Sequence, residues 1–235
     1  MSIGANIQAV RKDMEGAAVR SGRSPEDVLL VAVTKLHSPE EINEAIDAGV
    51  TDIGENKVQE VLAKYDKVKP VRWHLIGHLQ TNKVRQIVDK VVMIHSVDSL
   101  HLAEEINKRC ASIGKNMDIL VQVNVAEEDS KFGITSDETM SLISAIADTC
   151  PNVTVKGLMM IAPFFDDPEM TRPYFRMAKK LFDDCADMPA RAGVDMKYLS
   201  MGMTNDFQIA VEEGSNLIRV GTAIFGNRNY RSEEK

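Results

Sequence analysis

Lys35 is the residue whose type and position most directly suggest chemistry. It ends the run Leu29-Leu-Val-Ala-Val-Thr-Lys35, whose apolar composition predicts a buried strand. Alternate residues of a strand share a face, so Leu29, Val31, Val33 and Lys35 are expected on one side. Desolvation lowers the pKa of a buried amine, and a neutral amine can form a Schiff base with a carbonyl compound. The alternative is a lysine with a buried stem whose ammonium group reaches solvent.

Two short segments near the C-terminus are candidates for binding an anion. Ser200-Met-Gly202 offers a hydroxyl and a small backbone, and Gly221-Thr222 offers unhindered backbone N–H groups. The alternative is that both glycines only shape turns. Phosphate binding is therefore one of two interpretations of these segments.

Arg219 is a candidate because of its position in the last predicted strand. It has the parity of Leu217 and Gly221, which predicts a side chain pointing into the fold. A buried guanidinium keeps its charge and needs a partner. That partner could be a carboxylate, or the ring nitrogen of a cofactor such as pyridoxal phosphate. In the second case a permanently charged donor would leave the pyridine ring unprotonated and weaken it as an electron sink.

The composition excludes several classes of protein. The chain has 235 residues and a formal net charge of −7, and no basic cluster indicates binding to nucleic acid or to an anionic membrane. The segment Met1–Val19 has acidic residues and no continuous apolar stretch, so no signal peptide or membrane anchor is expected. Three widely spaced cysteines indicate reduced thiols in a cytoplasmic protein: Cys110, Cys150 and Cys185.

The hydrophobic pattern predicts eight strands that alternate with helices, after an opening helix over Ile3–Ser21. The strands are predicted at Val28–Thr34, Thr51–Gly54, Val71–Ile76, Val91–His95, Asp118–Val125, Thr154–Met159, Lys197–Leu199 and Leu217–Val220. The helices between them are predicted at Pro39–Ala48, Asn56–Tyr65, His78–Val88, Asp98–Ser112, Ser136–Asp148, Met170–Asp187 and Asn205–Glu213.

This alternation predicts one α/β domain over residues 1–235, a (β/α)8 TIM barrel with an extra N-terminal helix. An open doubly wound sheet is the alternative, but its first strand normally leads into a glycine-rich phosphate turn. Thr34-Lys35-Leu36-His37 contains no glycine. The barrel is therefore favoured.

Barrels of this kind carry their active sites at the C-terminal ends of the strands. The polar residues predicted at those ends are Lys35, Glu55-Asn56, His74, Gly77-His78, Asn124, Ser200-Met-Gly202, Arg219 and Gly221-Thr222. The histidines lack the spacing of metal ligands relative to cysteines or carboxylates, so no metal site is expected.

Several longer motifs resemble those of the pyridoxal phosphate homeostasis proteins, also called the PROSC family. The resemblance covers nearly the whole chain, from Val31 to Gly226. The motifs are Gly54-Glu-Asn-Lys-Val-Gln-Glu60, Trp73-His-Leu-Ile-Gly-His-Leu-Gln-Thr-Asn-Lys83, Val121-Gln-Val-Asn-Val125 with Ser130-Lys-Phe-Gly133, Gly157-Leu-Met159, Leu199-Ser-Met-Gly-Met203 and Ile218-Arg-Val-Gly-Thr-Ala-Ile-Phe-Gly226. Met160 and Phe207-Gln208 depart from the family pattern beside the site.

The resemblance implies a fold-type III barrel, related to the N-terminal domain of alanine racemase, that binds pyridoxal 5′-phosphate (PLP). By position, Lys35 matches the lysine that forms the Schiff base, and Arg219 matches the arginine facing the pyridine nitrogen. Ser200, Gly221 and Thr222 match the phosphate cradle, and Asn56 lies beside the cofactor.

Three functions remain open from the sequence. The favoured one is a non-catalytic PLP carrier in vitamin B6 and amino-acid homeostasis, a monomer serving PLP-dependent apoenzymes. The second is a PLP-dependent amino-acid racemase, which would need a second acid/base that racemases of this fold take from an extra β domain. The chain ends soon after strand eight, so that group is expected to be missing. The third is a Schiff-base aldolase acting on a phosphorylated substrate.

Overall fold

The computed structural model describes residues 2–128 and 132–226. Its eight parallel strands close into a barrel in which each strand pairs with its neighbours in chain order and β8 pairs with β1. The strands are β1 (Leu29–Val33), β2 (Asp52–Glu55), β3 (Arg72–Leu75), β4 (Met93–Val97), β5 (Met117–Gln122), β6 (Val153–Met159), β7 (Val194–Ser200) and β8 (Leu217–Val220). The predicted (β/α)8 barrel is confirmed.

The α-helices lie between the strands and on the outside of the barrel. They are α1 (Ile3–Arg20), α2 (Pro39–Asp47), α3 (Val58–Lys64), α4 (Val84–Ile87), α5 (Leu100–Ser112), α6 (Ser136–Thr149), α7 (Arg172–Ala186), α8 (Phe207–Glu212) and α9 (Thr222–Phe225). Short 3₁₀ turns cover Pro25–Asp27, Tyr65–Lys67, Thr81–Lys83 and Pro168–Thr171.

Local sequence signals explain where the longer helices begin. Ser38 and Glu41 form a capping box at α2, with Pro39 in the first turn, and Thr135 and Glu138 form another at α6. These exchanges satisfy N–H groups that a helix start leaves without intrahelical partners. The extra helix α1 packs on α2, α8 and α9, which places it against the seam where β8 meets β1.

The hydrophobic core has two layers. The larger layer lies between the sheet and the helices, while a smaller cluster fills part of the barrel interior: Val31, Met93, Leu120, Met159 and Leu217. Leu29 packs on this inner cluster beside Val31, so these two residues of β1 share a face as predicted. Buried polar side chains also lie inside the barrel, since His95 on β4 contacts Ser200 on β7.

Two predicted elements differ from the structure. The helix predicted at His78–Val88 is reduced to a 3₁₀ turn and the four-residue α4. At its predicted start, Gly77 packs directly on the backbone of Asn56, where a Cβ atom would lie 2.4 Å from the carbonyl oxygen. Strand β7 is longer than predicted. In its first half, exposed residues alternate with half-buried ones, so the sequence there lacks the continuous apolar run that predicts a buried strand.

Within the described ranges, no helix combines the length and the apolar composition required to cross a bilayer.

Gly157 provides a test of the β6–β7 register. Its φ is +141°, and a Cβ atom there would lie 1.8 Å from the carbonyl oxygen of Tyr198 on β7. We expect Gly157→Ala to lower the free energy of unfolding by more than about 3 kcal/mol, because two paired backbones would have to separate. Urea denaturation measures this loss.

Gly114→Ala is the matched control, because Gly114 also has a positive φ (+65°) but a Cβ atom there would have no heavy atom within 4 Å. Its cost should be about 1 kcal/mol, the conformational penalty alone. Equal losses for the two variants would contradict the steric argument.

Candidate functional site

A cleft of about 400 Å³ opens at the C-terminal ends of the strands. Four residues predicted from the sequence, Lys35, Arg219, Gly221 and Thr222, line it together. The remaining lining residues come from the ends of β1 and β6 and from the loop after β7: Val33, Ala162, Pro163, Phe164, Met203, Thr204, Asn205 and Asp206. The strand neighbours β7, β8 and β1 therefore supply most of the site.

Lys35 lies in a tight turn that follows β1. Thr34 continues the ladder through its N–H, which donates to the carbonyl oxygen of Gly54 at 3.0 Å. Leu36 then adopts a left-handed conformation with φ +67°, which is strained for a residue with a side chain. The Glu60 carboxylate accepts the N–H of Leu36 at 2.7 Å. This bond fixes the turn and so the direction in which half-buried Lys35 leaves the barrel.

A buried ionic cluster of Glu55, Glu60, Lys64 and Thr34 supports the same turn. The Lys64 ammonium donates to Glu55 at 2.8 Å, to Glu60 at 2.9 Å and to the Thr34 carbonyl oxygen at 3.0 Å. Burial raises the pKa of Glu55, while the bonds from Lys64 and Thr34 oppose that shift. One of its oxygens, Oε2, has no hydrogen-bond partner within the described residues, so Lys64 is its main compensation.

Arg219 forms the floor of the cleft and is 4% exposed. Its guanidinium donates to the Ser200 hydroxyl at 2.5 Å and to the Met160 carbonyl oxygen at 3.0 Å. Burial lowers the pKa of Arg219 to about 10, and the charge of Asp206 opposes this. The side chain therefore stays charged at neutral pH, and among the described residues two neutral oxygens accept from it, rather than the carboxylate that was one of the two predicted partners.

Met160 contacts Arg219 through its backbone oxygen. This contact therefore does not depend on the side chain, which is where Met160 departs from the family pattern.

Asp206 brings a carboxyl group to the same cleft. It accepts the N–H of Met203 at 2.6 Å. Burial raises its pKa, while that bond and the charge of Arg219 lower it, and the net direction is upward. Nothing in the local pattern of Thr204-Asn-Asp206 distinguished this carboxyl from an ordinary helix cap, so sequence reasoning missed it.

The wall opposite combines a close backbone approach with the start of a short helix. A Cβ atom at Gly221 would lie 3.2 Å from both Cβ and the carbonyl oxygen of Val33, so a side chain there would push β8 away from β1. Gly221 leads into the first turn of α9, whose leading N–H groups lack intrahelical acceptors. The Thr204 hydroxyl lies 3.4 Å from the N–H of Ala223. The Thr204 hydroxyl and the N–H groups of the first turn of α9 thus lie beside Thr222.

Three predicted residues lie elsewhere. Ser200 is fully buried beneath the cleft, where its hydroxyl meets Arg219 and, at 3.3 Å, His95. Asn56 is half-buried and does not line the cleft. His74 is not at the rim but deep in the barrel, bonded to Asp52 and His95. Thr204 takes the position at the cleft that the sequence had suggested for the hydroxyl of Ser200.

Of the motif Ser130–Gly133, residues 130 and 131 fall outside the described part of the chain.

Comparison with known proteins agrees with this geometry. A model of the alanine racemase N-terminal domain family matches residues 5–229. The pyridoxal phosphate homeostasis protein of Aquifex aeolicus (strain VF5) is 40% identical over 226 residues, covering 95% of this chain and 97% of the relative. The protein of the same name from Escherichia coli (strain K12) is 37% identical over 236 residues, covering 96% of each chain.

A solved structure of PipY from Synechococcus elongatus PCC7942, with PLP bound, is similar throughout. It superposes with a TM-score of 0.79 at 31% identity, covering 96% of this chain and 100% of that one.

The buried cluster behind Lys35 generates a prediction about stability. Lys64→Met should lower the free energy of unfolding by about 3 kcal/mol, because it leaves the fully buried Glu55 carboxylate without its cation. The double variant Glu55→Gln/Lys64→Met should recover at least about 1 kcal/mol relative to additivity. Chemical denaturation of the three variants measures the coupling.

Lys180→Met removes a cation from an exposed ion pair with Asp184 and serves as the control. It should change stability by less than about 0.5 kcal/mol. Additive losses in the Glu55–Lys64 cycle would show that the two charges do not compensate each other.

Proposed function

The chain belongs to the alanine racemase N-terminal domain family and, within it, to the pyridoxal phosphate homeostasis proteins, and from that membership we propose that it binds PLP through Lys35. The proposed role is to hold the cofactor as a Schiff base and make it available to PLP-dependent apoenzymes. The observation that carries the proposal is the convergence of Lys35, Arg219 and an anion-binding wall in one cleft.

The cleft has the size and the donor set for this cofactor. A volume of about 400 Å³ is within the range of small-ligand sites. Arg219 uses two of its N–H donors on Ser200 and Met160, so a five-donor guanidinium retains others for a ligand. Gly221, Thr222 and Thr204 would hold the phosphate, Arg219 would face the ring nitrogen and Lys35 would receive the aldehyde.

The chemistry that PLP supplies when bound begins with its aldehyde. The Lys35 nitrogen adds to the aldehyde carbon, and loss of the carbonyl oxygen as water leaves a carbon–nitrogen double bond. The residues behind the lysine only orient it: Glu60 fixes Leu36, and Lys64 joins Glu60 to β2 through Glu55. The cofactor would be tethered reversibly, as a carrier requires.

The charge on Arg219 supports a carrier over an enzyme. A guanidinium that stays protonated donates to the ring nitrogen and does not transfer a proton to it. The ring is then a weaker sink for electrons, and carbanions at an amino-acid Cα are stabilised less. Tethering forms no carbanion, whereas racemisation proceeds through one at the amino-acid Cα.

Asp206 is the observation that favours a second candidate, an amino-acid racemase. Two-base racemisation needs an acid/base on each side of the substrate, and Asp206 is a buried carboxyl with a raised pKa in the same cleft as Lys35. Its bond from the Met203 N–H stabilises the carboxylate form in place. Weak exchange activity through Asp206 would be compatible with this geometry.

The lysine assignment is tested by spectroscopy and mapping. After incubation with PLP, the wild-type protein should show a visible Schiff-base band, and borohydride should fix the cofactor on the peptide that contains Lys35. Lys35→Ala should lose both signals. Lys57→Ala is the control, since Lys57 is an exposed lysine just after β2 and its loss should change neither. A normal band in Lys35→Ala would place the linkage on another residue.

Carrier and enzyme are separated by deuterium exchange at Cα. Over a panel of amino acids in deuterated water, the PLP-loaded protein should exchange far more slowly than about 1 per second, a rate typical of enzymes. Any slow exchange should fall further in Asp206→Asn if that carboxyl moves the proton. Exchange at enzymatic rates for any amino acid would exclude the carrier proposal and favour the racemase.

A further inference from the structure

A continuous hydrogen-bond chain of five buried side chains runs through the barrel and ends on Arg219. The Asp52 carboxylate lies 2.9 Å from Nε2 of His74, whose Nδ1 lies 2.9 Å from Nε2 of His95. Nδ1 of His95 lies 3.3 Å from the Ser200 hydroxyl, which Arg219 contacts at 2.5 Å. We call this the Asp52–Arg219 chain.

The Asp52–Arg219 chain crosses the barrel interior. His95 is on β4 and Ser200 on β7, strands that are not neighbours in the sheet, so their contact spans the space inside the barrel. All five members are at most 4% exposed. At its far end, Arg72 donates two bonds to Asp52 and is itself solvent-exposed. The Asp52–Arg219 chain therefore connects one end of the barrel to the floor of the cleft at the other end.

Only one assignment of protons to these side chains gives each contact in the Asp52–Arg219 chain one donor and one acceptor. We call this assignment the single order of protons. Arg219 can only donate, so the Ser200 oxygen accepts from it and the Ser200 O–H is free to donate to Nδ1 of His95. His95 must then carry its proton on Nε2 and donate to Nδ1 of His74. His74 in turn carries its proton on Nε2 and donates to Asp52. Each contact between neighbouring members of the Asp52–Arg219 chain then has one donor and one acceptor.

The opposite order leaves a defect. If His95 donated from Nδ1, the Ser200 oxygen would receive two N–H groups, and its own hydrogen would have no acceptor within the described residues. The electrostatics keeps Asp52 ionised and His95 neutral. Burial raises the pKa of Asp52, but bonds from His74, Arg72 and Thr51 outweigh this and lower it to about 2. Burial lowers the pKa of His95 well below its usual value, and the charge of Arg219 lowers it further.

We propose that the Asp52–Arg219 chain is a positioning device: Asp52, His74, His95 and Ser200 fix the orientation of the Arg219 guanidinium and thereby its contact with the ring nitrogen of PLP. This rests on the proposed function only in the identity of the ligand that Arg219 meets. Asp52 sets the order of protons, because the carboxylate at its end of the Asp52–Arg219 chain can only accept hydrogen bonds. Ser200 carries this proton order to Arg219, because its oxygen accepts a hydrogen bond from one guanidinium nitrogen and so fixes the direction of that N–H group.

The first experiment needs no cofactor. Nitrogen-15 NMR of the two imidazoles in the ligand-free protein reports which ring nitrogens carry protons. We expect both His74 and His95 to be neutral with the proton on Nε2. A proton on Nδ1 of either ring, or a doubly protonated His74, would overturn the single order. Because this uses the wild-type protein, it does not depend on any variant folding.

The second experiment measures what the chain does to the ligand. Ser200→Ala and Asp52→Asn should each weaken PLP binding by about tenfold, the loss expected when a buried hydrogen bond to a charged group is disturbed. Both should shift the visible band of the bound cofactor, and Asp52→Asn should give mixed tautomers at both histidines. Circular dichroism checks that each variant is folded.

Ser215→Ala and Asp118→Asn are the matched controls. Ser215 is another fully buried serine beside β7, and its hydroxyl contacts only backbone oxygens among the described residues. Asp118 lies on β5 and is not a member of the Asp52–Arg219 chain. Both should bind PLP as the wild type does. A PLP analogue with carbon in place of the ring nitrogen should show no tenfold difference between wild type and Ser200→Ala.

Outcomes for the two proposals are separable. Wild-type protein that fails to bind PLP at all would reject the proposed function, while the NMR result would still decide the proton order. Normal PLP affinity and an unshifted band in both Ser200→Ala and Asp52→Asn would reject the positioning role, even with PLP bound through Lys35. A tenfold loss that persists with the analogue would show that the chain acts on stability of the cleft and not on the nitrogen contact.

Discussion

A guanidinium buried inside a closed barrel is the constraint on which the rest of the site depends. Taking a charge out of water costs several kcal/mol unless other groups solvate it. Arg219 has no carboxylate ion pair within the described residues; it has a hydroxyl, a backbone oxygen and, at longer range, Asp206. This partial solvation leaves the guanidinium with unused donors directed at the cleft, which makes it a receptor for an acceptor atom.

The polar interior is possible because the barrel divides its core. Residues between the sheet and the helices form one large apolar layer, which carries the stability of the fold. The inner cluster has five buried members among the described residues, which leaves room inside the barrel for five polar ones: Asp52, His74, His95, Ser200 and Arg219. Each hydrogen bond among these groups offsets the cost of burying a polar atom, and the loss of one partner would leave a buried donor or acceptor unsatisfied. The network and the fold therefore constrain each other.

Much of this arrangement could be predicted from the sequence, because it follows from pattern. The period of the strands predicts the barrel and places Lys35, Arg219, Gly221 and Thr222 at one rim. What could not be predicted depends on contacts between distant strands. His74 and Ser200 were expected at the rim, yet a hydrogen bond across the lumen, between β4 and β7, holds Ser200 below it. The spacing of Glu60 and Lys64, four residues apart on a helix, was the available signal for the cluster behind Lys35.

The two ends of the cleft are organised for different purposes, and this difference bears on what the protein can do. Around Lys35, an ionic cluster and a strained turn fix the amine, which favours capture of an aldehyde. Around Arg219, a charged donor with neutral partners would hold a ring nitrogen without protonating it. Under the proposed function, a site that tethers the aldehyde but withdraws electrons weakly would favour retention of the cofactor over turnover on it. Asp206 is the only further carboxyl at the described cleft wall, and burial raises its pKa despite the opposing charge of Arg219. The charge of the buried arginine therefore reduces, but does not reverse, the effect of burial on the acid beside it.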